Sequence, residues 1–292
     1  MKEITILSGK GGTGKTSITA AFASLAKNIV ICDNDVDAAD LHLILNPQIL
    51  EEKVFYSAWI AEIDQKKCTQ CGLCKNFCSF GAIQINTEGK FLINPFKCEG
   101  CKLCERTCPY LAIKSTLSSN NAWYVSSTRF GTMVHAQMGP GEENSGKLVS
   151  IIRAKAKEIA IEKKLSILLN DGPPGIGCTA ISSITVTDMV IIVTEPSKSG
   201  LHDAKRIVEL VESFSIPIFA LINKYDINLN MSNETENYFR NKNITILGKI
   251  PFDKQLVEAM IKSKSIIEYA PKSAISKILI DAWHNVEQNL KN

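Results

Sequence analysis

The octapeptide Gly9-Lys10-Gly11-Gly12-Thr13-Gly14-Lys15-Thr16 constrains this chain more than any other stretch. It follows the apolar run Ile4-Thr5-Ile6-Leu7 and opens the alanine-rich segment Thr16–Lys27. It therefore reads as a glycine turn between a buried strand and a buried helix. The spacing G-x4-G-K-T lets backbone N–H groups close around phosphates at the positive end of that helix. Lys15 is expected to reach the β- and γ-phosphates and the Thr16 hydroxyl to ligate Mg²⁺, with Gly11, Gly12, Thr13, Gly14 and Ser17 completing the cradle.

Such a turn needs a parallel sheet around it, and the sequence supplies the strands. Asn28–Cys32 is a second apolar run, ending in the acidic loop Asp33-Asn34-Asp35-Val36-Asp37. Ser166–Asn170, Met189–Thr194, Ile216–Asn223 and Ile244–Ile250 follow, with helical segments between. Their apolar residues are continuous rather than alternating, as in strands buried on both faces of a parallel sheet. The expectation is an α/β, doubly wound, mostly parallel sheet. At 292 residues the chain has room for that domain and one smaller module. A formal charge of +3 with 45% hydrophobic residues excludes a disordered chain and a basic nucleic-acid tail. No apolar run approaches the ~18 residues of a membrane span. Met1-Lys2 leads straight into the first strand, leaving no signal peptide, so a cytoplasmic protein is expected.

The module is marked by cysteine. Eight of the ten cysteines lie between Cys68 and Cys108, in two copies of one pattern about 30 residues apart. They are Cys68-x2-Cys71-x2-Cys74-x3-Cys78 and Cys98-x2-Cys101-x2-Cys104-x3-Cys108-Pro109. A cluster of this kind, without the short chain or leader of a disulfide framework, points to metal. Zinc ribbons pair two C-x2-C knuckles, whereas this triple run resembles the bacterial two-cluster ferredoxins, in which the fourth cysteine ligates the other cluster. That resemblance implies an inserted small α+β ferredoxin module over residues 64–118, between two parts of the phosphate-binding domain at 1–63 and 119–292. It implies one [4Fe–4S] cluster on Cys68, Cys71, Cys74 and Cys108, and a second on Cys98, Cys101, Cys104 and Cys78. Phe80-Gly-Ala-Ile83 and Tyr110-Leu-Ala-Ile113 are expected to pack over them.

The early lysine, Lys10, refines the first motif. Lys10-Gly-Gly-Thr-Gly-Lys-Thr16 resembles the deviant Walker motif of the MinD/ParA family, which includes the nitrogenase iron protein and the Mrp-type cluster carriers. The resemblance implies an ATP-dependent sandwich dimer, of two copies or of this chain with a paralogue, in which Lys10 acts in trans. It further implies that Asp35 positions the attacking water and that Asp33 and Asp171 sit by Mg²⁺. Gly175 would offer its N–H to the γ-phosphate. Asn223 would contact the base, with Pro251 and Asp253 closing over it. Asp40 stands where the family often has asparagine, so its role is open. Cys178 follows Asp171-Gly-Pro-Pro-Gly175 by three residues. It is either a bridging ligand between two copies, needing Cys32 or another group, or a small buried cysteine.

The nearest architecture is that of the MinD-like ATPases with a two-cluster ferredoxin insert, some of them associated with the orange protein. Their resemblance implies ATP-gated electron transfer to a redox or metal-cofactor partner, serving cofactor maturation. Cluster delivery and a membrane- or DNA-bound positioning ATPase are the competing readings. The carriers' C-terminal C-x-x-C pair is missing here. In the last helix, Ile275, Ile278, Leu279, Trp283, Val286 and Leu290 share one face opposite mixed charges, which reads as core closure rather than membrane or nucleic-acid binding.

Overall fold

Residues 1–57, 59–139 and 145–291 are described in the computed structural model. In chain order the elements are β1 (Lys2–Ser8), α1 (Lys15–Leu25), β2 (Ile29–Asp33), α2 (Leu41–Leu45), β3 (Gln48–Phe55) and β4 (Trp59–Ile63). The cysteine-rich stretch holds α3 (Leu73–Phe77), β5 (Ile83–Ile85), β6 (Phe91–Ile93), α4 (Leu103–Thr107) and β7 (Ile113–Leu117). Then come β8 (Asn121–Ser127), β9 (Thr132–Gln137), α5 (Ser145–Glu162), β10 (Ile167–Pro174), α6 (Cys178–Ile184) and β11 (Met189–Thr194). The last are α7 (Lys198–Ser213), β12 (Ile218–Asn223), α8 (Leu229–Asn241), β13 (Thr245–Ile250), α9 (Gln255–Ile261), α10 (Ile266–Tyr269) and α11 (Ala274–Lys291).

Contacts divide the chain into two units. The larger comprises Met1–Glu52, Trp123–Gln137 and Ser145–Asn292. Its sheet has the order β13-β12-β11-β1-β10-β2-β9-β8-β3. The pairings from β13 through β9 are parallel. Register does chemical work here. Asp171 on β10 lies beside Ile6 of β1 on one side and Asp33 of β2 on the other, so two carboxylates far apart in sequence meet at one strand end.

Each face of the sheet buries its own apolar layer. On one, α1 packs Ile18, Phe22 and Ala23 against Ile4, Ile31 and Leu169, and α11 adds Ile275, Leu279, Trp283 and Val286. The apolar face of the last helix thus closes the core. On the other, α7 buries Ala204, Ile207, Val208 and Val211 against Val190, Ile192 and Ile222. Among the described residues, no helix is long and apolar enough to cross a membrane.

One strand runs further than its apolar pattern. β10 continues through Asp171-Gly-Pro-Pro174 because Gly172 lies so tightly on β1 that a Cβ would sit 2.7 Å from the Ile6 carbonyl. The Gly175 N–H then donates to the Ser8 carbonyl at 2.8 Å.

The smaller unit is Lys53–Ala122 with Met138–Asn144. In it β4 pairs antiparallel with β7 from Trp59↔Leu117 to Ile63↔Ile113, on either side of the cysteine repeat in sequence. The sequence repeat is also a backbone repeat. Left-handed residues recur at Gln70 and Gly100, at Gly72 and Lys102, and at Gly81 and Leu111. In each pair one residue is glycine and the other accepts the strain of a positive φ. α3 and α4 start at the middle pair and end at Cys78 and Cys108. The unit's buried cluster is small, with Ala61, Cys74, Ile83, Phe91 and Ile113 at its centre.

A buried histidine in the larger unit yields a pH prediction. His135 on β9 is 8% exposed, with its Nε2 2.9 Å from Ser126 Oγ and its ring stacked on Tyr124 at 5.1 Å. Burial, helped by the neighbouring His42, holds its pKa down at about 4. A folded-state value below the unfolded one near 6.5 means that this stability is present above pH 6.5 and lost as pH falls toward 4. Urea unfolding should show a His135 contribution to the pH 7-to-5 loss of about 2 kcal/mol. His135→Gln should flatten the profile by that amount, and an unchanged profile would refute the assignment.

Candidate functional site

The C-terminal ends of β1, β2, β10, β11, β12 and β13 converge, where open α/β sheets place their ligands. A cleft there is lined by Lys10, Gly11, Gly12, Thr13, Gly14, Lys15, Thr16, Ser17, Asp35, Asp40, Asn223, Pro251 and Asp253, among others. Phe252, Leu256, Val257 and Met260 give its far wall an apolar surface. Residues scattered over most of the sequence thus meet around one space.

Carboxylates surround Lys15. Its Nζ is 2.9 Å from Asp171 Oδ1 and 3.7 Å from Asp35 Oδ2, and the residue is only 5% exposed. Burial opposes its charge, but Asp171, Asp35 and Asp33 together raise its pKa. Thr16 Oγ1 donates to Asp171 Oδ2 at 2.8 Å, and Thr19 Oγ1 donates to Oδ1 at 2.7 Å. Asp171, Thr16 and Lys15 therefore form one cluster, and Mg²⁺ with phosphate would exchange partners within it.

Asp33 is fully buried. Its oxygens accept the Asp35 N–H at 3.2 Å and the Leu41 N–H at 3.3 Å, so it scaffolds the acidic loop. Burial and the Asp171 charge push its pKa well up. Burial likewise pushes Asp35 up to about 6, with Lys15 opposing and Asp171 and Asp37 adding. Asp40 starts α2 without a side-chain capping bond and faces the cavity. Gly175, expected to offer its N–H to a γ-phosphate, spends it on Ser8 in this structure, so that bond must break first.

The far end of the cavity is formed by residues that follow β12 and β13. Asn223 Nδ2 donates to the Thr13 carbonyl at 2.7 Å and its Oδ1 accepts the Lys224 N–H. The same contact explains Gly14, with φ +88°, where a Cβ would fall 2.4 Å from Asn223 Nδ2. Asp253 accepts both the backbone and side-chain N–H of Gln255, and Asp226 accepts the Phe252 N–H at 2.7 Å. These carboxylates shape the loop over the apolar wall.

Sequence reasoning missed three residues. Thr19 holds Asp171, Lys224 Nζ donates to the Gly12 carbonyl at 2.8 Å, and Glu195 pairs with both Lys10 and Lys224. The available signal was position, since Glu195 and Lys224 directly follow strands whose ends face the site.

The cysteines gather in two places in the smaller unit. Cys68, Cys71, Cys74 and Cys108 line one small cavity, together with Tyr110, Ala112 and Ile113. Cys78, Cys98, Cys101 and Cys104 line another, together with Phe80, Ala82 and Ile83. Each cavity takes three cysteines from one run and the fourth from the other. Burial raises the pKa of Cys74 and takes Cys104 up to about 11, with neighbouring cysteine charges adding to each. Such thiols need a cation or metal nearby to ionise. Among the described residues, no three His, Cys, Asp or Glu side chains converge on one single-ion position. Four cysteines around a cubane each bind a separate iron, and the donor set, all sulfur and all cysteine, is the one such clusters use.

Cys178 is exposed at the start of α6, not a buried packing residue. Cys32 is wholly buried and donates to Asn34 Oδ1, so it is not available as a co-ligand at that surface.

A parallel sheet with a glycine cradle, its lysine and converging carboxylates defines a P-loop nucleotide-binding protein. Residues 4–266 match the CobQ/CobB/MinD/ParA nucleotide binding domain, and the chain belongs to that family. An uncharacterized protein of Methanocaldococcus jannaschii is 34% identical over 99% of this chain and 94% of its own length. A second from that organism is 27% identical over 92% and 93%. Among solved structures, the septum site-determining protein MinD of Pyrococcus horikoshii, complexed with Mg-ADP, matches with a TM-score of 0.60 and 18% identity, over 99% of this chain and 97% of that one. That likeness is one of fold.

Proposed function

We propose that the chain is a Mg²⁺-dependent ATPase that holds two [4Fe–4S] clusters and couples nucleotide turnover to electron transfer. The observation that carries this reading is the sorting of eight cysteines into two four-cysteine cavities, in a chain whose other unit is a nucleotide-binding domain. The small apolar centre of the cysteine unit supports it, because a unit this lightly packed needs a staple. When bound, the clusters would supply one-electron carriage to a redox or metal-cofactor partner. That carriage would serve metal-cofactor maturation, with cluster assembly and delivery, or a positioning ATPase with a redox-sensing insert, as the alternatives. The protein would act in the cytoplasm as a homodimer or as a heterodimer with a paralogue.

The chain's own residues divide the work as follows. Lys15 and the N–H groups of Gly11 to Thr16 bind the phosphates, while Thr16 and Asp171, with Asp33 behind them, bind Mg²⁺. Asp35, at the cavity edge, orients the attacking water and accepts its proton. Asn223 and the Pro251–Asp253 loop hold the base. Asp35→Ala should keep ATP binding and lower kcat by ~10²–10⁴, the usual worth of a positioned base. Normal turnover in that variant would remove Asp35 from the role. Lys10→Ala should keep binding by the protomer but lose dimer-dependent hydrolysis. The overall test is anaerobic reconstitution, which should give about eight irons and eight sulfides per chain together with ATPase activity. Tightly bound zinc, or protein without iron, would sink the cluster reading.

A further inference from the structure

Lys10 lines the cavity, but its charge is engaged by a residue outside the Lys15 cluster. Its Nζ is 2.7 Å from Glu195 Oε1 and also donates to Ser199 Oγ at 3.1 Å. Glu195 directly follows β11, and its other oxygen lies 3.3 Å from Lys224 Nζ, which donates to the Gly12 carbonyl. One carboxylate therefore sits between a lysine of the cradle and a lysine that straps the cradle from behind.

We propose that Glu195 is a positioning residue that holds Lys10 in the resting protomer and releases it when the triphosphate bound to a partner protomer competes for its charge. This rests on the nucleotide reading above. Two features make the contact releasable. The Lys10 and Glu195 side chains are 36% and 20% exposed, so water attenuates the pair and its strength is modest. When Lys10 leaves, Glu195 keeps Lys224, so no unpaired carboxylate is stranded. Lys15 differs, being enclosed and bound to several carboxylates at once. Of the two motif lysines, Lys10 is the one built to move, and Glu195 sets the charge that must be outcompeted.

Glu195→Gln keeps the shape and removes the charge. At protein concentrations that allow dimerisation it should tighten a non-hydrolysable ATP analogue by about two- to fivefold, the value of one partly exposed ion pair, and leave AMP binding unchanged. In a Lys10→Ala background the same substitution should give no tightening. Weakening of equal size in both backgrounds would show Glu195 to be only a strut for Lys224 and the cradle, and would overturn the proposal. A second measurement needs no nucleotide: acylation of Lys10 by an amine-reactive reagent, mapped by mass spectrometry. It should rise severalfold in Glu195→Gln, because the amine no longer has to leave its carboxylate first, and fall back in Glu195→Asp. Unchanged labelling overturns the latch whatever the binding data show. Wild-type protein that binds no nucleotide yet shows the labelling difference overturns the nucleotide reading and leaves the Lys10–Glu195 pairing standing.

Discussion

Lys15→Ala should reduce the affinity for ATP by at least ~100-fold while also lowering the stability of the nucleotide-free protein. The first effect follows from the loss of charge-assisted bonds to the β- and γ-phosphates, each worth ~1.5–3 kcal/mol. The second is specific to this site. Lys15 neutralises Asp171 and Asp35 from an enclosed position, with Asp33 close behind. Removing one partner of a buried pair costs about 3–5 kcal/mol in general. Here the cost should be smaller, because Asp33 and Asp35 already lie above the usual carboxylate range and take up a proton readily. Lys15→Met, which restores apolar volume without charge, should separate the two effects by losing ATP while regaining only packing. Titration of a fluorescent ATP analogue and urea unfolding measure them in parallel. Undiminished affinity in both variants would mean that the cavity does not take phosphates through Lys15.

The sequence was most legible where chemistry and geometry coincide. The Gly9–Thr16 turn can do little else between a buried strand and helix, and the strands buried on both faces announced themselves as continuous apolar runs. Met189–Thr194 is a strand from end to end, as its run of six suggests. β3 was illegible because its residues Gln48–Phe55 are mostly exposed and mix Glu51, Glu52 and Lys53 with Ile49 and Leu50. β8 and β9 hide behind polar residues such as Ser126 and His135, which are buried and bond to each other. The extension of β10 across Asp171-Gly-Pro-Pro174 ran against its composition, since glycine and two prolines read as loop. The close approach to β1 that only Gly172 permits is a tertiary fact. Glu195 belongs to no motif, and its pairing with Lys224, which stands in the Asn223–Asp226 segment, shows only once β11 and β12 are neighbours.

The crossed cysteine sets lead to a test by double substitution. If Cys108 shares a cavity with Cys68, Cys71 and Cys74, then Cys68→Ser and Cys108→Ser strike the same cluster although they lie in different runs. Each single variant should lose about four of the eight irons, and Cys68→Ser with Cys108→Ser should lose no more than either alone. Cys68→Ser with Cys78→Ser strikes both cavities although both residues belong to the first run, and should lose nearly all the iron. An uncrossed arrangement, with each run holding its own cluster, predicts the reverse for the two double variants. The physical reason for crossing is in the backbone. In each run the first two cysteines lie on a tight loop, turned by left-handed residues at Gln70 and Gly72 or at Gly100 and Lys102, and the third sits in the first turn of the helix that follows. The fourth comes after a five-residue helix that carries it away to the other copy. Crossing also ties the two halves of the unit together, so loss of either cluster should lower its melting temperature and expose Phe91 and Ile113, which pack among the cysteines. Iron and sulfide assays on the four variants, with thermal melts, decide the matter. Equal iron content in the two double variants would overturn the crossed assignment.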